Sequence, residues 1–431
     1  MKALAATFTG QRVSRKLLLG FILVVFGVGL TKAVNRSPPA SFVGLAVAPA
    51  APGAPHFTSR FVTTQRFIQT HAASLVALRD GRIRAFWYAG SREGAPDVEI
   101  RSAVFDPARG AWGAEQAVAR RQDVQRSLLR YVRKLGNPVA GRAADGTLWL
   151  FYVTVSVGGW ACSSITATRS QDEGETWDTP RRLITSPFLN LSTLVRNGSF
   201  LYTDGTMGLP VHHEFLRKFG ELLRFDRRGE LIDKLRLSAD GHTLQPLALI
   251  RSTSAALVLM RDGGTGAHRV VAVGTDDAGQ HWTEAARTAL ANPDAALSGI
   301  ALADGRLLIA LNDIERGRDA LSLALSGDGG KSWRTVYRLE DQLAHRQQRP
   351  DRSHYRESVK ALASESDSGI TDPAGYGDSA QRQMCSEQRC EYEFSYPYLI
   401  ATGGEFHLVY TWNRAFIKHV QFNQAWLDQQ L

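Results

Sequence analysis

Ser326-Gly327-Asp328-Gly329-Gly330-Lys331-Ser332-Trp333 follows a recipe that the chain uses twice more, at Ser170-Gln171-Asp172-Glu173-Gly174-Glu175-Thr176-Trp177 and Thr275-Asp276-Asp277-Ala278-Gly279-Gln280-His281-Trp282. Each copy runs hydroxyl, any residue, Asp, any, Gly, any, polar, Trp. This spacing suits a tight β-turn. The carboxylate accepts backbone N–H bonds across the turn, the glycine supplies a positive φ, and the tryptophan folds back onto an apolar layer. Three copies, each behind a β-rich stretch such as Arg269-Val270-Val271-Ala272-Val273, mark a repeated hairpin and so a propeller or an array of blades.

Working outward, strand pairs fill the chain from about Arg60. Ser74–Leu78 and Ile83–Trp87 flank an Asp80-Gly81 turn, and the same form returns at Ala144–Tyr152, Ile300–Ala310 and Tyr398–Tyr410. A degenerate box, Phe105–Trp112, closes the first blade. With 39 Gly and 16 Pro the chain is rich in turn residues and poor in long helical periods. About 370 residues in blades of about 60 predict six blades, an all-β fold over residues 60–431. Two segments break the rhythm. Gln122–Lys134 spaces Val124, Leu128, Leu129 and Val132 as a short helix, and a polar insertion at about 341–389 reads as a surface loop.

The formal net charge of +9 invites a nucleic-acid reading. However, six of those charges lie before residue 37, where Lys2, Arg12, Arg15, Lys16, Lys32 and Arg36 meet no acid. The body is near neutral, so no nucleic-acid partner is expected. Within residues 1–36 a cationic stretch precedes the uncharged run Leu17–Leu30, which reads as a signal-anchor, with a cleaved signal peptide as the alternative. The Ala/Pro-rich stretch at 37–59 reads as a linker. This places the body at a membrane through its N-terminal segment, on the periplasmic or extracytoplasmic side, or secreted if the signal is cleaved. Cys385 and Cys390 suit a small disulfide loop in such a compartment, leaving Cys162 as a small buried hydrophobe. No Cys/His spacing makes a metal site and no glycine-rich phosphate loop precedes a helix, so neither metal nor cofactor is expected.

The three boxes resemble the Asp-box, or bacterial neuraminidase repeat, and the chain is similar to the sialidase superfamily and its bacterial predicted-neuraminidase subgroup. The resemblance implies a six-bladed propeller and an acidic glycan as substrate. In that family three arginines clamp the sugar carboxylate, an Asp handles the leaving-group proton, and a Tyr backed by a Glu is the nucleophile. A neutral phenol suits that task because the substrate's own charge repels an anion.

Carried over residue by residue, Ala89–Ile100 resembles the segment bearing an arginine and the acid/base, here Arg92 and Asp97; a surface salt bridge is the plain alternative. Leu259-Met260-Arg261 resembles the strand that delivers a clamp arginine, with Arg269 in reserve. The stretch from Asn312 to Leu323 offers Arg318 for the last clamp position, and Glu393–Leu399 offers Tyr396 as nucleophile, with Tyr398 facing the core. Two positions depart from the family. His71 stands where the Phe/Tyr-Arg-Ile-Pro opening has its arginine, and Gln245 stands where a Glu should back the tyrosine. A glutamine hydrogen-bonds a phenol but cannot take its proton. His213 and Glu214 form a polar turn in which Glu214 could replace the missing carboxylate, and Asn413 and Arg414 form another pocket-lining pair.

The leading expectation is an exo-glycosidase of the sialidase type that releases a terminal acidic sugar, sialic acid or a relative. The alternatives are a uronate-polysaccharide lyase or hydrolase, with His71 or His213 moving the proton, and a non-catalytic glycan-binding propeller.

Overall fold

The computed structural model describes residues 15–34, 39–44, 53–186, 190–347, 349–387 and 389–431. It divides into two units, Met1–Pro39 and Ala40–Leu431. In the first, Arg15–Val34 is helical, with Leu17, Phe21 and Phe26 exposed. Among the described residues no helix is long and apolar enough to cross a membrane. The anchor expected at residues 1–36 is therefore not supported. A span needs about 20 apolar residues, and the run stops at Leu30, before Thr31 and Lys32. Part of the linker read at 37–59, residues 37–38 and 45–52, lies outside the described residues.

The second unit holds six antiparallel sheets of four or five strands among the described residues, the blades of a propeller. Their inner strands, in chain order, are Gln69–Ala77, Lys134–Arg142, Leu194–Val195, Thr243–Ile250, Ser298–Ala301 and Phe394–Thr402. Five blades are built from consecutive strands. The sixth takes its outer strand from the other end of the body: Phe57–Phe61 pairs with Phe416–Asn423, from Phe57 opposite Phe422 to Phe61 opposite Lys418. This joins both ends of the body in one sheet and closes the ring.

The boxes sit at the turns after the third strands of blades two, four and five. In the last copy, Gly330 N–H donates to Ser326 Oγ at 2.9 Å, Ser332 N–H donates to Asp328 Oδ1 at 2.9 Å, and Trp333 Nε1 donates to the Gly330 carbonyl at 3.1 Å. Two successive residues have positive φ in every copy: Glu173 and Gly174, Ala278 and Gly279, Gly329 and Gly330. That is the requirement of a type I′ hairpin turn, and it explains the fixed glycine.

The box carboxylates carry a pH signature. Bonds from Thr176 and Ser170 hold Asp172 at about 2, and bonds from His281 and Thr275 hold Asp277 at about 2, against an ordinary value of 3.8. Ser332 and Ser326 pull Asp328 down as well. A carboxylate whose folded pKa is depressed adds stability that is complete above its unfolded value and is lost as pH falls through the folded one. Denaturation midpoints should therefore fall between about pH 4 and pH 2. In the triple variant Asp172→Asn, Asp277→Asn, Asp328→Asn the midpoint should start lower at neutral pH and change less across that window. An unchanged acid profile would show that the boxes do not couple to folding.

The insertion at 341–389 is not the surface loop expected. Arg352–Ser366 and Pro373–Met384 are helices, capped by Asp351 and Asp372. Tyr355, Val359 and Ala363 bury one face of the first, and Tyr376 and Ala380 bury one face of the second. The charged residues between these positions mask the period in the sequence. Cys385 and Cys390 are bridged just behind the second helix, and Cys162 is half-buried and free. The short helix expected at Gln122–Lys134 covers only Arg121–Ser127.

Candidate active site

Near the start of each inner strand, within it or just before it, one residue lies in the left-handed region: Ala72, Asn137, Ser192, Gln245, Asp294 and Tyr396, with φ between 43° and 60°. In four blades it falls inside a register shift: His71/Ser74, Gly136/Val139, Leu244/Leu247 and Ser395/Tyr398. A bulge leaves its extra residue out of the ladder and re-aims the side chain. Pro138, Pro246 and Pro397 directly follow three of these residues, since a bulge needs no N–H for the ladder at that point. Asn137 and Asp294 tolerate this region, but at Ala72, Ser192, Gln245 and Tyr396 it costs about 1 kcal/mol or more each. Such strain persists where packing over-determines it, and it concentrates at functional sites.

Three of these residues form a chain across blades four to six. Gln245 Nε2 donates to the Tyr396 hydroxyl at 3.5 Å, Arg261 Nη1 donates to Gln245 Oε1 at 3.0 Å, and Arg261 Nε donates to Asp294 Oδ1 at 2.6 Å. Burial works against the Arg261 charge, but Tyr396, Asp294 and Glu214 outweigh it and its pKa is raised. The Arg318 guanidinium lies 5.8 Å from the centre of the Tyr396 ring, donating to Glu393 Oε1 at 3.2 Å and to the Asp294 carbonyl at 3.1 Å.

Glu393 is the hub of the second half. Its Oε2 accepts from Arg414 Nε at 2.6 Å, and Arg414 Nη1 reaches Glu93 Oε2 at 3.1 Å. Burial would push the Glu393 carboxyl up, but the Arg414 and Arg318 guanidiniums reverse this and hold it at about 2. Asn413 fixes the hub: its N–H donates to the Glu393 carbonyl at 2.7 Å and its Oδ1 accepts the Glu393 N–H at 3.0 Å. His71 is buried with its ring 4.3 Å from that of Tyr396. Burial first and Arg414 second drive its pKa well below the ordinary value, so the imidazole is neutral at physiological pH. Its Nδ1 has no hydrogen-bond partner among the described residues.

Of the residues singled out in the sequence, Tyr396, His71, Gln245, Arg261, Arg318, Asn413 and Arg414 converge here. Glu214 stands one layer out, accepting from His212 Nε2 at 3.1 Å and acting on the Arg261 charge. His213 ends a strand rather than lying in a turn, and stacks on Phe219 at 4.7 Å. Arg92 is exposed, and the Asp97 carboxylate is taken up by Ser91, through its N–H and Oγ at 2.9 Å each. Arg269 pairs with Glu315, and Tyr398 is buried as expected.

The sequence reading missed Glu93, Glu393 and Arg196. Arg196 follows the inner strand of blade three and is 1% exposed. Its fork donates to the carbonyls of Ala73 at 3.2 Å, Tyr396 at 2.7 Å and Pro397 at 2.8 Å, tying blade three to blades one and six. Its guanidinium lies 5.1 Å from the Tyr396 ring centre. Nothing in Val195-Arg196-Asn197-Gly198 marks this role in the sequence. The site thus joins a phenol, a neutral imidazole and three guanidiniums already balanced by carboxylates, a set fit to hold an anionic ligand beside a nucleophilic oxygen.

Residues 81–408 match the family described as BNR repeat-like domain. No curated protein matches the chain. Among solved structures it is similar to the Hadza microbial sialidase Hz136, with 17% identity and a TM-score of 0.60 over 83% of this chain and 66% of that one. The chain thus spans just under two thirds of that protein. The intramolecular trans-sialidase from Ruminococcus gnavus matches at 13% identity and TM-score 0.57, over 83% of this chain and 95% of that one. An alpha-L-arabinanase from Penicillium chrysogenum matches at 12% identity and TM-score 0.54, over 87% of this chain and all of that one (100%). Identities this low establish the shared propeller and leave chemistry to the site itself.

Proposed function

The chain belongs to the BNR repeat-like family, and from that premise we propose that it is a glycosidase removing a terminal carboxylate-bearing sugar, sialic acid or a relative, from a glycan. The observation that carries this reading is Tyr396 beside Gln245 and Arg261, with the Arg318 guanidinium over its ring. Arg261 and Arg318 hold the sugar carboxylate while staying paired with Asp294 and Glu393. Tyr396 presents its oxygen to the anomeric carbon. Gln245 orients the phenol but takes no proton from it, and the neutral His71 is the base the site offers. The names of two of the structural neighbours, both sialidases, support the same class of chemistry.

The leaving oxygen needs an acid, and the loop after the second strand of blade one carries two candidates. Asp97 has the matching sequence position. Glu93 has the better connection, since Arg414 ties it to Glu393 while Ser91 occupies Asp97. Glu93→Gln is expected to lower kcat/KM on natural glycans by about 10² or more, and Asp97→Asn by less. On aryl glycosides with good leaving groups both losses should shrink, because protonation is no longer needed. A larger loss at Asp97 would return the role to that residue. The Cys385–Cys390 bridge supports an oxidising compartment outside the cytoplasm.

A second reading rests on the His71–Tyr396 contact. In a uronate lyase the imidazole removes the proton beside the carboxylate and the phenol protonates the leaving oxygen, with arginines neutralising the uronate. A screen of residues 40–431 on sialosides and uronate glycans separates the two. Release of an intact acidic sugar supports the glycosidase, a new ultraviolet absorption from an unsaturated product supports the lyase, and binding without turnover overturns both.

A further inference from the structure

Beside the axial site lies a cavity of about 320 Å³, between the Arg316–Asp319 turn of blade five and the insertion segments around His345–Pro350 and Cys390–Tyr392. Inner strands begin at the site end of each blade, so the turn before the third strand of blade five opens on the same face. Arg318 lines this cavity and also bonds Glu393 in the axial cluster, so one guanidinium serves both spaces. Four arginines line the cavity against two carboxylates, Asp319 and Glu391. Arg346 is bonded by Asp319, and Arg349 pairs with Glu391 at 2.6 Å. Arg316 is exposed and makes no ion pair or side-chain hydrogen bond among the described residues. The His345 ring rests on Tyr392 at 5.3 Å and forms a flat wall. The bridge from Cys385 to Cys390 pins the segment that carries Glu391 and Tyr392.

We propose that this cavity is a second subsite that takes the carboxylate of the sugar next to the terminal one, so that the preferred ligand is a glycan with two acidic sugars in succession. The inference rests on the axial site being the place of the terminal sugar. Arg316 is the free guanidinium that receives the second carboxylate, and the His345 wall packs against the ring that bears it. A planar fork with no internal partner gives up no existing ion pair on binding a carboxylate, unlike Arg346 and Arg349.

The test is calorimetric, on the full chain carrying Tyr396→Phe, with and without Arg316→Ala. Two matched pairs of probes are titrated: monosialyl and disialyl lactose, and galacturonic acid and its dimer. The two-acid member of at least one pair should bind about tenfold more tightly than its partner, and Arg316→Ala should abolish most of that advantage. His345→Ala should reduce it less. An advantage that survives Arg316→Ala overturns the subsite, and so does the failure of both two-acid probes to bind. Turnover is followed separately on the parent protein. If the Arg316-dependent advantage is present but neither pair is cleaved, the glycosidase reading falls and the subsite stands. Cleavage without that dependence has the opposite meaning.

Discussion

Tyr396→Phe should lower kcat/KM on the cleaved glycan by about 10³-fold or more, a loss of about 4 kcal/mol in transition-state stabilisation, with substrate binding little changed. The substitution removes one oxygen and keeps the ring. Arg196 at 5.1 Å, Arg318 at 5.8 Å and the His71 ring at 4.3 Å all face that ring, so they remain packed. The main chain at φ 55° is set by the bulge between Ser395 and Tyr398 and by the Arg196 fork, neither of which uses the hydroxyl. Stability should therefore stay within about 1 kcal/mol of the parent, and a drop in rate cannot be assigned to unfolding. Gln245→Glu is the companion variant. It would place a carboxylate between Arg261 and the phenol, where the parent has an amide that only orients, and it tests whether the proton acceptor limits the rate. Full activity of Tyr396→Phe on natural glycans would remove the tyrosine from the chemistry and leave His71 as the next group to test.

Much of this site was legible because the blade is a local unit. The boxes and Asp-Gly hairpins announce strands and turns within ten residues of one another, while Arg261 in Leu259-Met260-Arg261 and Tyr396 in Ser395-Tyr396-Pro397 are picked out by the resemblance to the sialidase family. What the sequence hides is pairing between neighbouring blades. Glu393 reads as a polar residue ahead of a strand, yet it balances Arg318 from blade five and Arg414 from the turn between the second and third strands of its own blade. Asp97 and Glu93 share one loop, and only the fold shows that Ser91 holds the first while Arg414 draws in the second. The left-handed residues at the inner strand starts share no residue type, because the bulge selects for backbone shape and for what each blade sends to the axis. The two helices of the insertion were hidden for another reason: their buried faces are narrow, and the solvated faces dominate the composition.

Arg196→Met should destabilise the body by about 3–5 kcal/mol, a large fraction of a typical domain's margin. Arg196 looks unremarkable in Val195-Arg196-Asn197-Gly198, but it is a buried cation with no carboxylate in hydrogen-bond contact. Burial lowers its pKa to about 10, against the pull of Tyr396, Tyr398 and Tyr88, so it remains charged at neutral pH. Its charge is met by three backbone carbonyls and by the faces of Tyr396 and Tyr398, at 5.1 and 5.6 Å. Methionine keeps much of the volume but leaves those carbonyls without donors, at about 1–3 kcal/mol for each one that water cannot reach. Two of the three belong to Tyr396 and Pro397, so the bulge that aims the phenol should loosen as well, and the rate should fall along with the denaturation midpoint. Arg196→Lys separates the two contributions. A lysine restores the charge but, as a point donor, cannot span the three carbonyls as the planar fork does. It should recover part of the stability while activity stays low. If Arg196→Met unfolds within about 1 kcal/mol of the parent, the pin is not structural, and the positioning of Tyr396 must come from the bulge alone.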